Sequence, residues 1–142
     1  MAKINIKFAS PYTSVTGYGL VSNYLSDYFI KDPEINTEII NVDVMWNGDN
    51  QILQNVKSLN KVNQDYIFLS KVIPNMFYFR KGAKYNIILS TWEGTDLPLL
   101  WINTIRKVDA ILTYGSFDKK LFSLYNKNVY SYGLGIDKIF DY

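Results

Sequence analysis

The stretch Tyr85-Asn86-Ile87-Ile88-Leu89-Ser90-Thr91-Trp92-Glu93-Gly94-Thr95-Asp96-Leu97-Pro98 passes from an apolar run into a turn. Leu99-Leu100-Trp101-Ile102 follows, with apolar residues returning at Ile105 and Val108. The first run has the length of a buried strand, and the later recurrence has the spacing of a helix. Glycine, threonine, aspartate and proline between them are turn and helix-start residues, and Asp96 is placed to cap a helix from about Leu97. Turn chemistry does not call for a tryptophan and a glutamate there. A strand feeding a helix through such a turn is the repeating unit of a parallel α/β sheet. In open sheets of that kind ligands bind at the carboxyl ends of the strands, where this turn lies.

The same unit recurs upstream. Lys3 to Ala9 alternates, with Ile4, Ile6 and Phe8 on one face of a first strand. After the turn-rich loop Ser10 to Gly19, the residues Leu20, Val21, Tyr24, Leu25, Tyr28 and Phe29 predict an amphipathic helix starting near Leu20. Asp32-Pro33 ends it, because the residue before proline is pushed out of the helical region. A second strand is expected over Glu38 to Val44, then a loop Trp46 to Asn50, and a second helix marked by Ile52, Leu53, Val56 and Leu59. The third strand, Asp65 to Ser70, has a continuous apolar run that suggests burial on both faces. Val72 to Lys84 reads as a short helix or irregular crossover ending in the basic cluster Arg80 to Lys84, with the fourth strand over Tyr85 to Thr91.

Downstream, Ala110 to Tyr114 is a fifth strand. Ser116 stands as the N-cap of a helix with Phe117, Leu121, Phe122 and Tyr125 inward, and Val129 to Tyr132 is a short sixth strand before the loop Gly133 to Asp137. Strands alternating with helices predict one Rossmann-like domain over residues 1–142, a doubly wound parallel sheet in three αβα layers. In the common strand order three-two-one-four-five-six, the first and fourth strands are neighbours. The loops Ser10 to Gly19 and Ser90 to Pro98 would then face each other across a crevice.

Composition narrows the chemistry. The 142 residues suffice for one domain with a real core, and 48% hydrophobic against 20% charged residues is the balance of a globular chain. A net charge of +2 implies no strong polyanion partner, so nucleic acid is not expected. Without cysteine there is no thiolate nucleophile or ligand, and without histidine the commonest general base and metal ligand are missing. No metal or cofactor is expected, and acid–base work falls to Asp, Glu, Lys or Tyr. No apolar run approaches the roughly 20 residues of a membrane span, and no signal-peptide pattern opens the chain, so a cytoplasmic location is the expectation.

Gly17 and Gly19 precede the predicted first helix, where a backbone can approach a phosphate or sugar hydroxyl and free N–H groups favour an anion. The bland alternative is that both glycines shape a strand-to-helix turn. The third glycine of the dinucleotide fingerprint is absent and Asp43 is the nearest acidic residue to the end of the second strand, which argues against nicotinamide binding. Glu93 admits three readings: a solvated loop residue, a charge favouring the next helix's N-terminus, or a site carboxylate. Trp92 either packs on the sheet edge or stacks on a sugar. Lys119 and Lys120, read as first-turn residues, oppose the helix dipole and so hint at an anionic neighbour.

Four segments carry a resemblance: Gly17-x-Gly19 before the first helix; Thr91-Trp92-Glu93 with Leu97-Pro98 and Trp101; Asp109-Ala110-Ile111 leading to Ser116; and Gly135-Ile136-Asp137 with Phe140. In this order they resemble the N-terminal domain of GT-B glycosyltransferases, closest to the retaining group of glycogen-synthase-like and mannosyltransferase enzymes. The resemblance runs end to end and is densest from Ser90 to Phe140. It implies sugar transfer from a nucleotide sugar to an acceptor, with Thr16, Gly17, Tyr18 and Gly19 lining the reaction centre. It also implies a catalytic or acceptor-side role for Glu93, with Trp92 and Ser116 facing the cleft, and a hinge or interface at Gly135, Ile136 and Asp137. The family's donor-binding second domain has no counterpart in this sequence, and a histidine common in the acceptor domain is also missing. The expectation is therefore a domain that works as a homo-oligomer or with a separate donor-domain chain. The alternatives are a non-catalytic sugar- or nucleotide-binding module, and an α/β interaction protein derived from the same fold.

Overall fold

A computed structural model of the chain describes residues 3–12, 17–42, 61–62 and 64–133. The elements are β1 (Ile4–Ser10), α1 (Gly17–Lys31), β2 (Ile35–Asn41), β3 (Tyr66–Lys71), a 3-10 turn (Pro74–Met76), β4 (Ala83–Leu89), α2 (Leu99–Lys107), β5 (Ala110–Thr113), α3 (Ser116–Ser123) and β6 (Val129–Ser131). The loop read at Trp46 to Asn50 and the helix read at Ile52 to Leu59 lie outside the described residues.

The six strands form one all-parallel sheet in the order β2-β1-β3-β4-β5-β6. The α/β class stands as read from the sequence, but the strand order does not. β1 pairs with β2 and β3, and β4 pairs with β3 and β5, so the first and fourth strands are not neighbours. The direction of winding reverses between β1 and β3, and the crevice of a doubly wound sheet belongs there. With strands about 4.8 Å apart, the loops after β1 and β4 start about 10 Å apart, with β3 between them.

Two apolar layers hold the sheet. Under α1 lie Ile6, Phe8, Tyr12, Leu69 and Leu89, with Leu25 and Phe29 of the helix packed on them. On the opposite face Phe68, Ile88 and Ile111 meet Trp101 and Ile105 of α2 and Leu121 and Phe122 of α3. This division follows from strand alternation: Phe8 points to one layer and Ala9 to the other.

The orientation of α1 departs from the sequence reading. Leu20, Tyr24 and Tyr28 point to solvent, while Gly19, Ser22 and Ser26 are buried against the sheet. Small residues at that spacing let a helix sit close to the strands. The Ser10 and Ser22 hydroxyls are hydrogen-bonded to each other, and Ser26 Oγ donates to the Asn23 carbonyl at 2.9 Å, so the buried hydroxyls are satisfied.

Element ends moved as well. β2 begins at Ile35 rather than Glu38, and β4 at Ala83 rather than Tyr85. The crossover from β3 to β4 is the 3-10 turn followed by an extended segment, an irregular passage with no α-helix. Asn126, which is buried, closes α2: its Nδ2 donates to the carbonyls of Ile105 at 2.7 Å and Val108 at 2.9 Å, while its Oδ1 accepts from the Asn128 N–H at 2.8 Å. Those contacts satisfy carbonyls that a helix end leaves open. No helix among the described residues is long and apolar enough to cross a membrane.

Candidate functional site

The carboxyl ends of β4 and β5 and the start of α3 converge on one buried side chain, Asp118. Its Oδ2 accepts from Thr91 Oγ1 at 2.7 Å and from Thr113 Oγ1 at 3.0 Å, and its Oδ1 accepts from the Trp92 N–H at 3.3 Å. Thr113 ends β5, and Thr91 and Trp92 open the loop after β4. One carboxylate in the first turn of α3, where the helix dipole favours a negative charge, therefore ties three segments together.

Beyond that clamp the loop folds over its own tryptophan. Trp92 Nε1 donates to the Asp96 carbonyl at 2.8 Å, and the indole packs edge-on against Trp101 with ring centroids 4.7 Å apart. Trp92 thus packs on a residue of α2. Gly94 is required by this arrangement: a Cβ there would lie 2.6 Å from Trp92 Nε1 and 2.9 Å from Cε2. Gly94→Ala is therefore expected to push the indole off Trp101 and lower stability by about 1–2 kcal/mol. A changed tryptophan emission spectrum together with a lower urea midpoint would check it.

Glu93 sits between these fixed points and is exposed. The loop around it is anchored before it at Thr91 and Trp92 by Asp118, and after it at Asp96 by the indole. The backbone on either side of the carboxylate is thereby fixed, which lowers the ordering cost of binding at this loop. Asp96 does not cap the following helix: α2 begins at Leu99 with Pro98 in the N-cap position, and Asp96 serves through its backbone carbonyl. Proline tolerates that place because a helix's first N–H groups have no intrahelical acceptor.

Ser116 is the first residue of α3, with Gly115 as the N-cap, and its side chain is exposed at the carboxyl edge. Phe117 points outward, against the sequence reading, and Asp118, which that reading did not single out, points inward. Lys120 stands in the last turn of this short helix, so the expected conflict with the dipole is confined to Lys119. Gly17 and Gly19 do not form a loop ahead of α1. They are in its first turn, and Gly19 is buried. Thr16, the side chain of Tyr18, and Gly135, Ile136, Asp137 and Phe140 lie outside the described residues.

At the β1/β3 crevice the structure adds a residue that the sequence reading passed over. Lys71 ends β3 and is 2% exposed, and its side chain is engaged within the fold. By alternation it shares a face with Leu69, the face covered by α1. Burial pulls its ammonium down to about pKa 8. On the same layer Tyr12 is buried, with its hydroxyl donating to the Phe8 carbonyl at 3.4 Å, and desolvation holds its phenol well above the usual value. Tyr132 is also shifted upward, first by burial and then by Tyr114, whose ring lies 5.2 Å away.

A pocket of about 280 Å³ opens on the other face, over β2, β1 and β3, with Ala9, Val42, Phe68 and Met76 as apolar wall and Asn41, Ser70 and Arg80 as polar rim. The Arg80 guanidinium lies over the Phe68 ring at 5.4 Å. Glu93, Trp92 and Ser116 do not line this pocket. The sequence-nominated residues thus divide: Trp92, Glu93 and Ser116 share the β4/β5 end of the carboxyl edge, and Gly17 and Gly19 belong to the β1 end. Among the described residues no group of three or more acidic, histidine or cysteine side chains is placed to hold a metal ion. The chain matches no protein-family model, and neither a curated protein nor a solved structure matches it.

Proposed function

We propose that this domain is the acceptor-side half of a sugar-transfer system, binding a hydroxyl-rich acceptor at the β4/β5 end of its carboxyl edge. A nucleotide sugar is delivered there by a second copy or a separate donor-binding chain. The observation that carries the reading is the anchored loop from Thr91 to Asp96, which holds Glu93 exposed between the Asp118 clamp and the Trp92–Trp101 contact. An exposed carboxylate on an anchored loop suits sugar hydroxyls, because each oxygen can accept from a hydroxyl. Ser116, one helix away and tied to the same loop through Asp118, adds a hydroxyl to that edge. Carboxyl-edge binding is the general rule for open parallel sheets.

In this role Glu93 accepts a hydrogen bond from an acceptor hydroxyl and orients it towards the incoming sugar. Most of the demand of such a reaction is stabilisation of the departing nucleotide diphosphate, and in this reading that task belongs to the partner. A thermal-shift screen with simple sugars, UDP-, GDP- and ADP-sugars and the free nucleotides tests it, since a ligand of the folded state raises the melting temperature by mass action. The expected result is a rise with a sugar or nucleotide sugar. Glu93→Gln should weaken that binding about tenfold, the loss of one charge-assisted hydrogen bond, with the unliganded melting temperature unchanged. No response to any ligand, or a response that Glu93→Gln leaves intact, would remove this edge as the binding site.

A further inference from the structure

The carboxyl edge at β4 and β5 also exposes apolar side chains that the core does not use. Leu99 and Leu100, in the first turn of α2, are 83% and 78% exposed, and Phe117, in the first turn of α3, is 55% exposed. Both helices pack on the same face of the sheet and start at its carboxyl edge, after the neighbouring strands β4 and β5. Exposed large apolar residues gathered at one place mark an interaction surface. Exposed charges of both signs lie on the same segments. Asp96 is exposed on the loop before α2, and Lys119 and Lys120 are exposed on α3. Among the described residues the ion pairs are Lys7–Glu38 and Lys31–Asp27, and none of these three takes part in them.

We propose that this edge docks a second copy of the chain across a two-fold axis. Leu99, Leu100 and Phe117 of each copy form the apolar centre, and Asp96 of each copy faces Lys119 and Lys120 of the other. An isologous contact needs a patch complementary to itself, and an apolar centre with acidic and basic residues on the same segments meets that need. Two carboxyl edges then face each other across the axis. The association stands whatever ligand the edge takes, and it is read without any ligand.

Sedimentation velocity over a dilution series from about 1 mM to about 1 μM reads it. The expected result is a reversible shift between one chain of 16.5 kDa and twice that mass. Leu99→Ser with Leu100→Ser should leave only monomer, with an unchanged far-UV circular dichroism spectrum because both side chains are already in solvent. Asp96→Lys should weaken the dimer about tenfold or more, and adding Lys119→Asp and Lys120→Asp to it should restore the association. A monomer throughout the range overturns the proposal, and so does a dimer that the leucine and charge-reversal variants leave intact.

Discussion

Asp118→Ala should lower the stability of the domain by about 3–4 kcal/mol, more than any surface change and enough to move the melting temperature by about 10 °C. The side chain is 7% exposed and accepts from two threonine hydroxyls and one backbone N–H, all contributed by other segments. Removing the carboxylate leaves those donors facing an apolar layer, and an unsatisfied buried donor costs about 1–3 kcal/mol. Solvent entering the gap and rotation of the hydroxyls recover part of that sum. Asp118→Asn keeps an acceptor for the Trp92 N–H, and the threonine hydroxyls can turn to accept from its amide. Its loss should be about half that of the alanine variant. The order wild type, asparagine, alanine in urea midpoints checks the assignment. Equal midpoints for wild type and alanine would mean that the clamp contributes nothing. The binding proposed for this edge should fail along with stability, because the segment that carries Glu93 starts at Trp92.

How much of this was legible in the sequence follows from particular residues. The α/β class was, because apolar runs such as Ile87-Ile88-Leu89 and Ile67-Phe68-Leu69 alternate with helical spacing, and each became a strand of the parallel sheet. Strand order was not, since both doubly wound orders use the same local pattern and differ only in which way the chain crosses after the second strand. That one choice displaced the glycine pair from the loop bearing Glu93. Asp118 was legible by spacing but not by chemistry. Positions 118, 121, 122 and 125 form the inward stripe of α3 and its end, yet an aspartate beside a phenylalanine reads as the solvent residue. The phenylalanine lost because three donors waited at the strand ends, and strand ends are set by tertiary pairing. The first helix misled in the same way. Leu20, Tyr24 and Tyr28 make a regular stripe, and so do Ser22, Ser26 and Phe29. Hydrophobicity favours the first, while close packing of helix on sheet favours the second.

Lys71 should make the domain more alkaline-tolerant than its many tyrosines suggest. Its ammonium is buried at the end of β3, and its folded pKa of about 8 lies below the ordinary lysine value of 10.5. Below pH 8 both folded and unfolded chains carry the proton, and the folded state bears the cost of burying the charge. Between about 8 and 10.5 the folded chain has released a proton that the unfolded chain still holds, so stability rises with pH across that window. The gain from pH 7 to about pH 9.5 amounts to about 2 kcal/mol. Above the ordinary tyrosine value of 10 the sign reverses. Tyr12 and Tyr132 stay protonated in the folded chain while the unfolded chain ionises, so stability falls again as pH rises further. The unfolding free energy from urea titrations at several pH values should therefore pass through a maximum between about pH 9 and 10. In Lys71→Met the rising limb should vanish while the fall above pH 10 remains, because the tyrosines are untouched. A flat profile from pH 7 to 9.5 in the wild type would mean that the Lys71 ammonium is as well solvated in the folded chain as in the unfolded one, and the crevice between β1 and β3 would lose its buried charge.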